Sequence, residues 1–397
     1  MSMNFEFSQE HKLVRQAVSD MLDKYEPRRK ELDQMLRDQV FQDDLWQDFA
    51  DVGLLGCLIP EEYGGNGMGM LAQTLGFEEI CSHGFSPGIL LVTAMDSACI
   101  AAFAPEDLKK RILPGVADGS IRLCFAITES NAGTNTFRME TIARRKGDVY
   151  VVNGQKTFIS GVDFCEYMLL VVRTTTVAEL EKKGLPKAHG ISMMLVDTSS
   201  AGMEKHEIPI ASVEGVRQFT LFFDDMEVPV ENLIGEEDNG IMAMFNSLNP
   251  ERILASAICN GMADNAIRKA VVYANERKVF KNTPIGAYQS LAHPLAEAKI
   301  MLEAGRLMSY RAAWAYDEGR PPGEVGTMSN MAKFLSADNA FKAVDAALET
   351  HGGNGFTEEF GLLRMLNGAR LLKTAPISRE MLLNYVAEWE LGLPKSY

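Results

Sequence analysis

IRLCFAITESNAGTNTFRMETIARRKGDVYVVNGQKTFIS, residues 121–160, is where the hydrophobic pattern of the chain changes its period. Short apolar runs at 122–128, 141–145 and 149–153 are separated by turn-forming clusters, of which Lys146-Gly147-Asp148 is the clearest, and such runs predict β-strands. Further runs at 168–173, 192–196 and 218–223 continue the pattern. Beyond Gly235 it stops.

On the amino-terminal side the spacing is helical. Leu13, Val14, Ala17, Val18 and Met21 recur at i, i+3 and i+4 behind the polar start Ser8 and Glu10. Helices are also predicted at 43–52, 70–81, 89–103 and 105–116, with the glycine-rich stretch 61–67 between them. On the carboxyl side, segments rich in Ala, Met and Leu at about 240–278, 288–318, 327–350 and 377–389 read as helices packed on helices. The order predicts an α+β multidomain fold. It comprises an N-terminal α-helical domain (1–120), a middle antiparallel β-barrel domain (121–235) and a C-terminal four-helix bundle (236–397). No GxGxxG follows a strand and no GxxxxGK[ST] occurs, which disfavours a Rossmann site or a P-loop.

Composition narrows the function classes. With 397 residues and 46% hydrophobic content, the chain can bury substantial cores. A net charge of -15 without a long basic cluster argues against nucleic acid. The six cysteines (Cys57, Cys81, Cys99, Cys124, Cys165, Cys259) are dispersed in apolar sequence, with no ligand spacing to the six histidines, so reduced buried thiols and no metal are expected. No apolar run approaches the ~18 residues of a membrane span, and the amino terminus has neither a basic leader nor an apolar core segment. A cytoplasmic protein without membrane association is the expectation.

Three segments carry chemistry. In FAITESNAGTN (125–135), Gly133 allows close backbone approach to a large planar ligand, and Thr128 and Thr134 offer groups suited to a pyrimidine edge or a phosphate. An ordinary polar turn after a strand reads the same way. In NGQKTFIS (153–160), Asn153-Gly154 fits a two-residue hairpin turn with Phe158 as core, while Phe158 equally suits the face of a planar ligand. The third is LETHGGNG (348–355), preceded by YANERKVF (273–280) and PIGAYQ (284–289). There Arg277 and Lys278 have the composition of solvated charges or partners of a helix C-terminus.

Together, these segments resemble the acyl-CoA dehydrogenase family over essentially the whole chain. The first is similar to the family's TEP-x-AGS-D signature, with Ser130, Asn131 and Asn135 replacing its proline, small residue and aspartate; the second is similar to NG-x-K-x-(W/F)-I-(T/S). The resemblance implies FAD as cofactor, with Phe125, Ile127, Thr128, Gly133 and Thr134 as flavin neighbours and Phe158, Ile159 and Ser160 against the isoalloxazine. It implies that Arg277, Phe280 and Gln289 reach the pyrophosphate and adenosine half of the cofactor of a neighbouring subunit. Gly352 and Gly353 would form a backbone cradle, and Glu349, Ser378 and Glu380 would be polar positions near the FAD. A homotetramer or dimer follows, as does an electron-transfer flavoprotein as acceptor.

The chemistry so implied is α,β-dehydrogenation of an acyl-CoA thioester to a 2-enoyl-CoA, which needs a carboxylate to remove the proton beside the thioester carbonyl. Many family members place that glutamate after the GGNG turn. Here the matching stretch RLLKTAPISREM (370–381) has Pro376 in its place. A branch typified by isovaleryl-CoA and long-chain dehydrogenases carries the base on a long helix directly before an arginine, and NPERIL (249–254) matches it. Glu251 is then the general base, with Asn249, Arg252 and Thr134 binding substrate. The same residues also read as a helix start, with Asn249 as N-cap, Pro250 at N1 and Glu251 in the first turn. If instead the helix continues through this point, Pro250 kinks it at a cost of ~3 kcal/mol. Asp96, in an apolar helix, reads either as a hydrogen-bonded helix aspartate or as a lining of the acyl pocket. An enoyl-CoA reductase, a desulfinase-like CoA lyase and a non-catalytic flavin or CoA-binding scaffold are the alternatives on this fold.

Overall fold

Residue 121 does mark the entry into a sheet. The computed structural model describes residues 5–210 and 215–396. They fold as two units interleaved along the chain, one built from Met1–Glu26, Gly69–Pro87 and Glu251–Tyr397, the other from Pro27–Met68 and Gly88–Pro250.

The second unit holds the sheet. Its strands are β1 (Leu123–Ala126), β2 (Ile142–Lys146), β3 (Val149–Ser160), β4 (Tyr167–Arg173), β5 (Ile191–Asp197), β6 (Met203–Ile208), β7 (Gln218–Pro229) and β8 (Leu233–Ile234). The order is β6-β7-β3-β2-β4-β5-β8, with β1 also on β4. The expected antiparallel barrel is corrected in two respects. First, β1 and β2 both run parallel to β4, sharing one of its edges. Second, the sheet is not closed: β8 has two residues, and the edge strand β6 carries Glu204, Lys205, His206 and Glu207, charges that discourage further pairing.

Local chemistry explains the strand boundaries. Lys146-Gly147-Asp148 turns β2 into β3 as expected, but Asn153-Gly154 is not a turn. The pairing of β3 with β7 shifts register there, a bulge within one long strand. Gly154 sits at φ +140°, and a Cβ on it would lie 2.7 Å from Thr141 Cα, so the bulge requires glycine. Helices Leu90–Phe103 and Glu106–Ala117 supply Ile100, Ile112, Leu113 and Val116 to a core shared with Leu169, Val171, Met193, Leu195 and Ile234. Trp46 closes one edge by donating its indole N–H to the Gly119 carbonyl at 2.8 Å.

The first unit is helical. Its elements are Gln9–Asp23, Gly69–Ser82, the part of Ile241–Glu276 from Glu251 onward, Gln289–Asp317, Pro322–His351, Leu362–Leu372 and Arg379–Tyr385. Alanines line the seam between the long helices (Ala263, Ala266, Ala270, Ala298, Ala340, Ala343, Ala347), which lets their backbones approach closely. Asp317 caps the Gly69–Ser82 helix, accepting the Met70 and Leu71 N–H groups at 2.6 and 2.9 Å. On that helix the buried Glu78 accepts from Arg306 at 2.7 Å and Tyr310 at 2.8 Å, compensating a charge that would otherwise be costly there. In the first helix, Val18, Met21 and Leu22 form the buried face, whereas Leu13 is exposed.

Pro250 lies inside the continuous Ile241–Glu276 helix, so the helix-start reading of Asn249-Pro250-Glu251 does not hold. The boundary between the two units falls between Pro250 and Glu251.

Candidate functional site

In the sheet unit one buried ion pair orders the loop after β1. Lys156, fully buried on β3, donates to Glu129 at 2.8 Å and to the Ile127 carbonyl at 3.0 Å. Glu129 also accepts the Glu140 and Thr141 N–H groups. Burial by itself would raise the Glu129 carboxyl; Lys156 and these donors outweigh it and hold the group below its ordinary range. Burial also pulls Lys156 down to about 8, against the pull of Glu129. The Thr157 N–H donates to the Thr128 carbonyl at 2.8 Å. The loop after β1 is thereby sewn to β3.

Two residues after Lys156, Phe158 stands apart. It has φ +57°, a conformation that costs a non-glycine residue about 1–2 kcal/mol, and its ring is 58% exposed. It sits where the β3–β7 register shifts between Lys156 and Ile159, so the bulge turns the ring out of the sheet, leaving Ile159 buried. An aromatic held out at such a cost implies a partner for its face. Ile127 and Thr128 are half-buried, Gly133 and Thr134 exposed, and no atom lies within 4 Å of where a Gly133 Cβ would be. Phe125 is half-buried on β1. Ser160 donates to Gln218 at 3.0 Å. An exposed ring and an uncrowded glycine loop, on segments joined through Thr157 and Thr128, fit a large planar cofactor such as FAD.

In the same unit Asp96 is fully buried and accepts from Ser247 at 3.2 Å, and Asn249 is buried. Asp96 is thus a hydrogen-bonded helix aspartate, as one of its two readings has it.

The helical unit carries Glu251. Its side chain is half-buried, and loss of hydration pushes its pKa up to about 7 against the opposing pull of Arg252 and Lys333. Arg252 is buried, which lowers its own pKa. Lys333, on Pro322–His351, is 1% exposed and donates to the Ile377 carbonyl at 2.7 Å; burial lowers it to about 8. A carboxylate titrating near neutrality is what a general base requires.

At the other end of the helical unit, Tyr273 stacks on His351 at 4.3 Å and accepts a hydrogen bond from Asn354 at 2.9 Å, fixing the Gly352–Phe356 turn. Gly352 adopts φ +56°, and nothing lies within 4 Å of a Cβ placed on it or on Gly353. That turn is an open backbone surface. Arg277, Gln289 and Glu349 are exposed, and Phe280 is 81% exposed. Ser378 caps the Arg379–Tyr385 helix, accepting from the Met381 N–H, with Glu380 exposed in its first turn. Sequence reasoning assigned no role to Lys333 or to the Glu129–Lys156 pair. For Lys333 the cue was a cation within the mostly apolar run Met331–Leu335; the pair offered none.

Comparison with known proteins finds relatives along nearly the whole chain. Three family descriptions match in chain order: "Acyl-CoA dehydrogenase, N-terminal domain" over residues 8–120, "middle domain" over 124–226 and "C-terminal domain" over 238–391. The acyl-CoA dehydrogenase FadE12 of Mycobacterium tuberculosis is 42% identical over 391 residues, covering 98% of both chains. Among solved structures, butyryl-CoA dehydrogenase from Megasphaera elsdenii superposes with a TM-score of 0.89 at 26% identity, over 98% of this chain and 100% of that one. A structure described as the electron transferring flavoprotein of Acidaminococcus fermentans gives 0.90 at 26% identity, over 98% and 100%.

Proposed function

We propose a division of labour for this chain, which belongs to the acyl-CoA dehydrogenase family and is an FAD-dependent enzyme that oxidises an acyl-CoA thioester to the 2-enoyl-CoA: Glu251 is its general base. Glu251 removes the proton from the carbon beside the thioester carbonyl, and Arg252, Asn249 and Thr134 hold the substrate. Bound FAD supplies the two-electron acceptor that the oxidation needs. Phe125, Ile127, Thr128, Gly133, Phe158, Ile159 and Ser160 hold the flavin ring. Arg277, Phe280, Gln289, Glu349, Gly352, Gly353, Ser378 and Glu380 serve the rest of the cofactor.

The observation that carries the role of Glu251 is its placement, half-buried and directly before a buried arginine on a long helix, where loss of hydration pushes its carboxyl up to about 7. Pro376, at the position where many relatives keep their glutamate, has no acid–base group. Glu251→Gln should retain FAD but abolish anaerobic bleaching of the flavin by acyl-CoA, followed by absorbance. Bleaching at the wild-type rate would remove Glu251 from the mechanism.

The finer assignments belong to the same proposal. Along the sequence the chain divides into modules 1–120, 121–235 and 236–397. Electrons pass on to an electron-transfer flavoprotein. The working form is a homotetramer or dimer. Ile300, Leu307 and Trp314, seven residues apart on the Gln289–Asp317 helix, are exposed, an apolar row that a second copy would cover. Among the described residues no helix is long and apolar enough to cross a membrane, and we place the enzyme in the cytoplasm.

A further inference from the structure

Lys333 is a cation in the wrong place for a structural residue. It is 1% exposed, and its one hydrogen-bond acceptor among the described residues is the Ile377 carbonyl at 2.7 Å, although an ammonium has three hydrogens to give. Burying a charge with a single carbonyl partner is costly, and a methionine would fill the same space without that cost. Its charge therefore has an electrostatic use. The titratable and charged groups whose fields reach it are Cys259, Glu251 and Arg252 from the Ile241–Glu276 helix and Asp338 from its own helix. Asp338 is already engaged by Lys373 at 3.1 Å and Arg379 at 3.2 Å, and Cys259 is held protonated by burial. Glu251 is the remaining carboxylate.

No ion pair within 4 Å joins Lys333 to Glu251. A contact pair would occupy the oxygen that must accept the substrate proton, and would pull the carboxyl down too far to bind one. A cation fixed at longer range, on a carbonyl it cannot leave, favours the ionised carboxylate while leaving its oxygens available. Arg252 acts in the same direction from the neighbouring position of the helix. Ile377 directly follows Pro376, so the same ammonium also fastens the segment 370–381 to the Pro322–His351 helix.

We propose that Lys333 is a positioning residue for proton abstraction: its buried ammonium, anchored on the Ile377 carbonyl, favours the carboxylate form of Glu251 without pairing with it. This rests on Glu251 being the base, and the experiment separates the two ideas. Anaerobic flavin bleaching is followed by stopped flow across pH about 6 to 9, using the fastest of butyryl-, isovaleryl- and octanoyl-CoA on the FAD-loaded protein. Lys333→Gln keeps a donor for Ile377 but removes the charge. Its rate profile should move to higher pH by about one unit, which makes bleaching about tenfold slower below the midpoint and restores it above. Lys333→Arg should keep the wild-type midpoint. If Lys333→Gln does not accumulate with FAD bound, Lys333→Met carries the same expectation for the midpoint. An unmoved midpoint in the charge-free variant, with Glu251→Gln inactive, overturns the role of Lys333 alone. A fully active Glu251→Gln overturns both.

Discussion

In the proposed function, Phe158 trades stability for a ligand. Its φ of +57° costs about 1–2 kcal/mol, whereas a glycine in a strand costs roughly 0.5–1 kcal/mol. Phe158→Gly should therefore leave the apoprotein as stable as the parent or up to about 1 kcal/mol more stable, read by denaturant unfolding. FAD affinity should fall by about tenfold or more, because an aromatic face contributes more than the 1.4 kcal/mol that a factor of ten represents. A destabilised apoprotein with undiminished FAD binding would mean that the ring serves the core. Glu251 carries the second expectation at this scale. A base must be ionised to accept a proton, so its raised value of about 7 places the fall in flavin-bleaching rate on the acid side, half-maximal near that pH, with a plateau above. A rate independent of pH through this range would exclude Glu251 as the titrating group.

Between elements, the Glu129–Lys156 pair ties the loop after β1 and the start of β2 to β3. Glu129→Gln leaves a buried ammonium without its countercharge and should destabilise the protein by about 3–5 kcal/mol, whereas Glu129→Gln with Lys156→Met should cost markedly less than the two single changes together. Denaturant midpoints measure both, and additive losses would show that the pair is not coupled. The carboxyl is depressed in the fold, so its contribution is present above the ordinary carboxylate range and is lost as pH falls through the depressed value. Such a pair was illegible beforehand because its members lie 27 positions apart and neither belongs to a periodic pattern. Periodicity did mark most helices and strands, since burial repeats locally. It failed where local rules are overruled: Asn153-Gly154 became a bulge because Gly154 has no room beside Thr141, and β6 escaped notice because it is charged. The Val177–Lys183 helix, signalled only by its Thr176–Glu179 capping box, was also missed. Glu251 and Arg252 were legible as neighbours in one motif, while Lys333 is brought to them only by the packing of two long helices.

For the whole molecule, charge and apolar surface oppose each other. Each copy carries a net charge of -15 at pH 7, so association between copies must overcome repulsion, and it has Ile300, Leu307 and Trp314 with which to do so. Repulsion between solvated charges is screened over about 10 Å at 0.1 M salt, but apolar contact is not weakened by salt. The proposed oligomer should therefore dissociate as ionic strength falls and reassemble as it rises, observed by light scattering after size exclusion. Leu307→Asp places a charge within the apolar row and should leave a folded monomer at every salt concentration. If Arg277 and Phe280 serve the cofactor of a neighbouring copy, FAD should leave as the copies separate, and this monomer should be isolated largely without flavin while keeping its helical content. A monomeric Leu307→Asp variant with a full complement of FAD would show that each chain holds its cofactor alone, and would withdraw Arg277 and Phe280 from the site.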